Sequence, residues 1–194
     1  MNVIEIPEQW RNRAIVVGET AIPLGWFSEE ELRTAEAFRL AKRREEFLLS
    51  RAAAKQLAVD LGAGAEISQI RIEQRRIGSW HLSLSHSAPY AAAAIDERPV
   101  GIDIQVVRPI RESAAHLFLS DTEAEAMREC VLPDRLIHFW CAKEAAWKRR
   151  GGETETLKRV PITLEGETPR SLHFDNVDTV RIGDVVVALT RPTF

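Results

Sequence analysis

Apolar residues recur along the chain with two different periods, which divide it into predicted helices and predicted strands. Between positions 28 and 61 they recur every three or four residues, as in a helix that buries one face. Ser28 followed by Glu31 is a capping-box pattern that marks the start of this region. We expect a break near 39–42 and an end at Gly62, since glycine is the usual residue after a helix.

A period of two predicts the strands that follow. In the stretch 82–87 the three serines alternate with other residues, so they should share one face of a strand. Helix propensity favours a helix at 91–94, but the short gap before Val100 favours a hairpin with its turn at 96–99.

The stretch 100–105 also has a period of two, and its apolar residues should point to the core. The polar face of this predicted strand carries Gly101, Asp103 and Gln105. Glycine has no side chain, so Gly101 should leave room for a ligand to approach the backbone.

The second half of the chain repeats the same kinds of element. Ser120 with Glu123 is a second capping box and begins another helix. A further helix opens at 133–134 and ends at the glycines 151–152. Four later stretches predict strands, at 160–164, 171–174, 179–182 and 185–190.

Both halves therefore combine long helices with a few strands. This order predicts an α+β fold of two similar halves, each a small antiparallel sheet packed with helices, rather than a doubly wound sheet. We place the halves at 1–98 and 99–194, and together they should form one globular unit.

Composition narrows the class of protein. With 194 residues, 45% hydrophobic and 28% charged, the chain can bury a substantial core. A net charge of −3 does not predict nucleic-acid binding, and two cysteines cannot form a disulfide framework. The sequence shows no secretory signal and no apolar run long enough to cross a membrane, so we expect a cytoplasmic protein.

Three charged residues are candidates for chemistry. Glu144 and Lys148 are four apart, so on a helix they lie on one face. Such a pair is often only a solvated ion pair. Asp103 on the strand 100–105 adds a second carboxylate, and the two carboxylates together suggest a divalent metal held between a strand and a helix.

Four motifs, in this order, resemble those of the 4′-phosphopantetheinyl transferases. Glu46–Arg51 is similar to the family's F-x-x-x-R helix, and Leu84–Ser87 to its S-H-S motif. Val100–Ile104 is similar to the G-x-D strand, and Trp140–Lys148 to W/F-S/C/T-x-K-E-x-x-x-K. Together the motifs span roughly 28–152, and each alone would be weak.

The resemblance implies a pseudo-twofold enzyme that binds coenzyme A and Mg²⁺ in the cleft between its halves. It implies transfer of the 4′-phosphopantetheine arm of coenzyme A to a serine of an apo acyl, peptidyl or aryl carrier protein, with release of 3′,5′-ADP. We expect a monomer, with no nucleic-acid or membrane partner. The implied roles are metal binding by Asp103 and Glu144, catalysis by Glu144 and Lys148, and coenzyme A binding by Arg51, Ser85 and His86.

The chain also departs from the family pattern. Gln105 stands where many members have a third acidic residue, and 77–80 lacks the usual Gly-Lys-Pro turn. A weakened relative that binds coenzyme A or a carrier protein without efficient transfer is therefore an alternative. A different metal-dependent enzyme acting on phosphate esters is another, and an inactive scaffold is a third.

Overall fold

The computed structural model describes residues 1–63, 66–152 and 156–192, which form two compact units. Unit 1 is Met1–Pro99 and unit 2 is Val100–Phe194. No helix of the described ranges is long and apolar enough to span a membrane.

Unit 1 is a five-stranded antiparallel sheet with two helices. The sheet has the order β1-β2-β5-β4-β3. Its strands are β1 (Val3–Ile4), β2 (Ala14–Val17), β3 (Arg76–Ile77), β4 (Trp80–Ser87) and β5 (Tyr90–Asp96). The helices are α1 (Glu29–Ala37) and α2 (Ala41–Asp60).

The core of unit 1 forms where α2 packs on one face of this sheet. Leu49, Ala53 and Leu57 of α2 lie against Leu82 of β4 and Ala93 of β5, and all five are buried. The alanines allow the helix backbone to lie close to the sheet, because they add little bulk between the two layers.

Unit 2 likewise consists of a five-stranded sheet and two α-helices. Its sheet has the order β6-β10-β9-β8-β7, again antiparallel. Its strands are β6 (Ile102–Val106), β7 (Leu164–Thr168), β8 (Ser171–Phe174), β9 (Val177–Ile182) and β10 (Val185–Thr190). The helices are α3 (Asp121–Glu129) and α4 (Arg135–Arg149), and α4 packs on the sheet through Phe139, Ala142 and Ala145.

The predicted α+β class and the two similar halves, each an antiparallel sheet with helices, are confirmed. The predicted break in the first helical region is the gap between α1 and α2. The stretch 91–94 is a strand as expected, but its predicted hairpin with 100–105 is wrong. β5 pairs with β2 and β4, whereas β6 pairs with β10, so the two strands belong to different sheets.

Each unit contains a buried lysine–glutamate pair, and the two pairs lie at matching positions. In unit 1 Lys55 Nζ of α2 donates to Glu31 Oε2 at 2.7 Å, and Glu31 closes the capping box with Ser28 at the start of α1. In unit 2 Lys143 Nζ of α4 donates to Glu123, which closes the capping box with Ser120 at the start of α3. Both lysines are fully buried, so each pair fixes the second helix of its unit to the start of the first.

Gly101 lies directly against the backbone of α4. A Cβ atom placed on it would be 1.9 Å from the carbonyl oxygen of Ala145 and 3.0 Å from the backbone nitrogen of Arg149. The expectation that Gly101 leaves room for a ligand is therefore corrected, because α4 itself occupies that space. Its backbone is also paired with Thr190, whose Oγ1 accepts from the Gly101 nitrogen at 3.0 Å.

His138 of α4 is fully buried and neutral. Thr179 Oγ1 donates to the Leu172 carbonyl at 2.9 Å, so His138 Nδ1 must be the donor in the 2.7 Å bond between the ring and Thr179. Burial, opposed by the charge of Asp134 and assisted by that of Arg181, lowers the pKa of His138 from 6.5 to about 4. Protonating this ring would place an extra charge in the core.

We predict that Gly101→Ala destabilises unit 2 by at least about 2 kcal/mol, because the added methyl group collides with backbone that cannot rotate away. Gly166→Ala is the matched control, since nothing lies within 4 Å of a Cβ at that position. It should change the free energy of unfolding by less than about 1 kcal/mol. Urea denaturation followed by circular dichroism measures both, and equal effects would contradict the close contact.

His138 should make stability depend on pH. Its pKa is lower in the folded state, so the unfolded chain binds more protons between about pH 6.5 and 4, and folding is weakened as pH falls through this window. The loss should be on the order of 3 kcal/mol at most. His138→Gln should flatten this slope in denaturation measured at several pH values. An unchanged slope would mean that other groups cause it.

Candidate active site

Asp103 of β6 is a buried carboxylate held by Lys148. The strand places its side chain on the polar face, and the residue is 5% exposed. Lys148 Nζ donates to Asp103 Oδ1 at 2.6 Å and to the Ile102 carbonyl at 3.1 Å. Lys148, which the sequence spacing placed on one helix face with Glu144, thus forms an ion pair from helix to strand.

Glu144 lies on α4 one turn before Lys148 and is half-buried. Burial raises the pKa of its carboxyl group, and the negative charge of Asp103 raises it further, while Lys148 lowers it. Because the charges of Asp103 and Lys148 both affect the pKa of Glu144, the three groups lie within one small region of unit 2. The two carboxylates repel each other there, and a cation favours their ionised forms.

The donor set fits a magnesium ion. Mg²⁺ prefers hard oxygen ligands and commonly uses one or two carboxylates together with waters and substrate phosphates. Across the described parts of the chain, no group of three or more His, Cys, Asp or Glu side chains could hold a metal. Asp103 and Glu144 therefore offer two protein ligands, and Gln105, the next residue on the same face of β6, would add only a neutral amide.

Arg51 of α2 is held in a fixed orientation in unit 1. Its guanidinium group lies over the ring of Phe47, 3.7 Å from the ring centroid. Its Nε is 3.7 Å from Glu31 Oε1, and neither buried atom has a hydrogen-bond partner in the described residues. Burial lowers the pKa of Arg51, and Glu31 opposes this. A fixed arginine of this kind can bind an anion with little further loss of side-chain entropy.

His86 and Ser85 are consecutive residues of β4, so their side chains point to opposite faces of the sheet. His86 shares the face of Leu82, on which α2 packs, and its Nδ1 is 3.6 Å from Glu46 Oε2. Ser85 is buried on the other face. The structure thus places His86, and not Ser85, on the same side of the sheet as α2.

Glu46 and Lys55 have roles that sequence reasoning did not find. Glu46 is a buried carboxylate within 4 Å of three basic side chains, those of Lys42, Arg43 and His86. Lys55 lies four residues after Arg51 on α2, but it is buried against Glu31 and does not add to an exposed basic face. The capping-box glutamates were visible in the sequence, whereas their lysine partners lie 24 and 20 positions further on.

Comparison with known proteins finds similarity over part of the chain. Residues 99–189 match the family model of the 4′-phosphopantetheinyl transferase superfamily, and this region contains Asp103, Glu144 and Lys148. Just under half of the chain is therefore similar to the 4′-phosphopantetheinyl transferase superfamily.

Two curated relatives are also named 4′-phosphopantetheinyl transferases. The chain is 34% identical over 113 residues to the 4′-phosphopantetheinyl transferase psf-1 of Bacillus pumilus, covering 57% of this chain and 46% of the relative. It is 31% identical over 107 residues to the 4′-phosphopantetheinyl transferase Sfp of Bacillus subtilis strain 168, covering 54% and 45%. The chain therefore spans about half the length of the curated relatives that it matches.

We predict that Lys148→Met makes the stability of unit 2 respond to magnesium. Without the ammonium group, Asp103 and Glu144 face each other with no cation, which should cost about 3 kcal/mol. A bound Mg²⁺ would replace the lost charge, so adding MgCl₂ should raise the melting temperature of this variant more than that of the unaltered protein.

Differential scanning fluorimetry with MgCl₂, and with NaCl of equal ionic strength, measures this response. The control is the double variant Asp103→Asn with Lys148→Met, which removes one carboxylate charge and should lose the magnesium response. An equal response in both variants would show that Mg²⁺ acts elsewhere.

Proposed function

We propose that this protein is an active 4′-phosphopantetheinyl transferase. It transfers the 4′-phosphopantetheine arm of coenzyme A to a serine of an apo acyl, peptidyl or aryl carrier protein and releases 3′,5′-ADP. The observation that carries the proposal is the buried group of Asp103, Lys148 and Glu144, which lies within the region matched by the superfamily.

Asp103 and Glu144 are the proposed ligands of Mg²⁺. When bound, the ion supplies positive charge for the pyrophosphate of coenzyme A and for the leaving group. The support is chemical, since the two acidic side chains provide hard oxygen donors on adjoining elements of one unit.

Glu144 is the proposed general base. Its raised pKa makes its carboxylate a stronger base than an exposed glutamate. The carboxylate takes the proton from Oγ of the carrier serine. That oxygen forms a bond to the β-phosphorus of coenzyme A, and the bond from this phosphorus to the oxygen bridging to 3′,5′-ADP breaks, with its electron pair leaving on the ADP.

Lys148 is proposed to stabilise the negative charge that develops on the phosphate oxygens. Its ammonium group is already fixed by Asp103 and by the Ile102 carbonyl, so it needs little reorganisation when the charge appears. The same contacts keep its charge close to both carboxylates.

Arg51, His86 and Ser85 are the proposed ligands of the phosphates of coenzyme A, the 3′-phosphate above all. Arg51 has the strongest support, because Phe47 and Glu31 hold its guanidinium group from two sides. His86 is next, since it is partly exposed and shares a face with α2. Ser85 has the weakest support, because it is buried on the opposite face of β4.

Unit 1 and unit 2 of one chain contain all the proposed residues, so we propose that the protein works as a monomer. The alternative, a relative that binds coenzyme A without efficient transfer, is favoured by Gln105, which replaces a third acidic ligand with an amide. Gln105→Glu should therefore be tolerated and should lower the Mg²⁺ concentration needed for half-maximal rate.

Asp103→Ala and Glu144→Gln should each abolish transfer while the protein stays folded. The first removes a metal ligand, and the second removes both a negatively charged ligand and the base. The assay is the rate of holo-carrier formation at several Mg²⁺ concentrations, with circular dichroism as the control for folding. Full activity in either folded variant would rule out these roles.

A further inference from the structure

We infer that the buried pair of Lys143 and Glu123 is a positioning device for Glu144. The inference rests on the proposed function for the meaning of Glu144, but its contacts can be tested without turnover. Lys143 is the residue immediately before Glu144 on α4, and its ammonium group bonds to Glu123 and to the Val160 carbonyl.

The ammonium group of Lys143 has three acceptors, one for each N–H bond. Its Nζ donates to both carboxylate oxygens of Glu123 at 2.8 Å and to the carbonyl oxygen of Val160 at 2.5 Å. The side chain is fully buried. An ammonium group with all its protons bonded inside the protein cannot rotate or move without leaving a buried charge unpaired.

Glu123 is fixed in turn by backbone groups on two other segments. Its Oε2 accepts from the Ser120 nitrogen at 2.8 Å, and its Oε1 accepts from the Ile162 nitrogen at 3.0 Å. Lys143 is therefore tied to the start of α3 and to the segment that contains Val160 and Ile162. Both of these segments lie outside α4, so the ion pair links the helix to two other parts of unit 2.

Consecutive residues on a helix differ in direction by about 100°. Fixing the direction of Lys143 therefore also fixes the direction in which Glu144 leaves the helix. The contact between Gly101 and the Ala145 carbonyl sets the separation of α4 from the start of β6. The ion pair adds a second constraint, because it restricts rotation of α4 about its own axis.

Unit 1 contains an equivalent buried lysine–glutamate pair, but the residue that follows its lysine has no carboxylate. Lys55 Nζ donates to Glu31 and to the Trp26 carbonyl at 2.8 Å, and Lys55 is also fully buried. The next residue is Gln56, whose amide donates to Asp60 on the exposed side of α2. Lys55 is therefore a matched control, because its loss disturbs an equivalent buried pair far along the chain from Glu144.

The test compares three variants, Lys143→Met, Lys55→Met, and Lys143→Met combined with Glu123→Gln. The double variant removes both charges while glutamine preserves the capping box, so it should recover stability that the single variant loses. The readouts are the melting temperature, the affinity for Mn²⁺ by isothermal titration calorimetry in the presence of coenzyme A, and kcat and KM for transfer.

Lys143→Met should lower both the Mn²⁺ affinity and kcat, the affinity by about 10- to 100-fold, as expected for loss of a group that orients a metal ligand. The double variant should regain melting temperature but not Mn²⁺ affinity. Lys55→Met should lower the melting temperature. At a coenzyme A concentration that saturates the variant, which offsets any effect on Arg51 through Glu31, it should keep its Mn²⁺ affinity. If Lys143→Met does not fold, the double variant alone decides the question.

Among the variants, three outcomes would overturn the inference: unchanged Mn²⁺ affinity in a folded Lys143 variant, recovery of affinity together with stability in the double variant, or equal loss of affinity in Lys55→Met. Unaltered protein that binds no Mn²⁺ would overturn it as well. Unaltered protein that binds Mn²⁺ and coenzyme A but transfers nothing would refute the proposed function and leave the positioning role of Lys143 standing.

Discussion

The contact between the Gly101 backbone and the Ala145 carbonyl determines how the chemistry of unit 2 is assembled. Only a residue without a side chain allows β6 to begin this close to α4. Two residues further along β6, Asp103 then meets Lys148, which is one turn beyond Glu144 on α4. The glycine and the three charged residues thus form one steric and electrostatic unit, although Gly101 and Asp103 lie more than forty positions before Glu144 and Lys148 in the sequence.

The two units share an arrangement of two helices joined by a buried lysine–glutamate pair, but the side chains next to that pair differ. In both, a capping-box glutamate at the start of the first helix binds a buried lysine on the second. Four residues before that lysine, unit 1 has Arg51 and unit 2 has the buried Phe139. One residue after it, unit 1 has Gln56 and unit 2 has Glu144. The repeated scaffold therefore carries Arg51, proposed above to bind an anion, in one half and Glu144, proposed above to bind a metal ion, in the other.

Local sequence patterns were enough to predict the parts of the structure that local forces decide. Helical spacing put Glu144 and Lys148 on one face, and both capping boxes marked true helix starts. Contacts between distant residues were not predictable in this way. The partner of β6 is β10, with Ile102 opposite Leu189, and nothing near 100–105 indicates this. The burial of Lys55, the packing of Gly101 against α4 and the choice of the His86 face of β4 as the face that α2 covers likewise depend on how distant elements pack.

The central claim is that the carboxylates of unit 2 serve phosphopantetheine transfer. The most direct test is the intact mass of an apo carrier protein after incubation with this protein, coenzyme A and Mg²⁺. The account predicts a gain equal to one phosphopantetheine arm, which disappears when EDTA is present. An unchanged mass with several acyl and peptidyl carriers, from protein that is folded and binds coenzyme A, would contradict it.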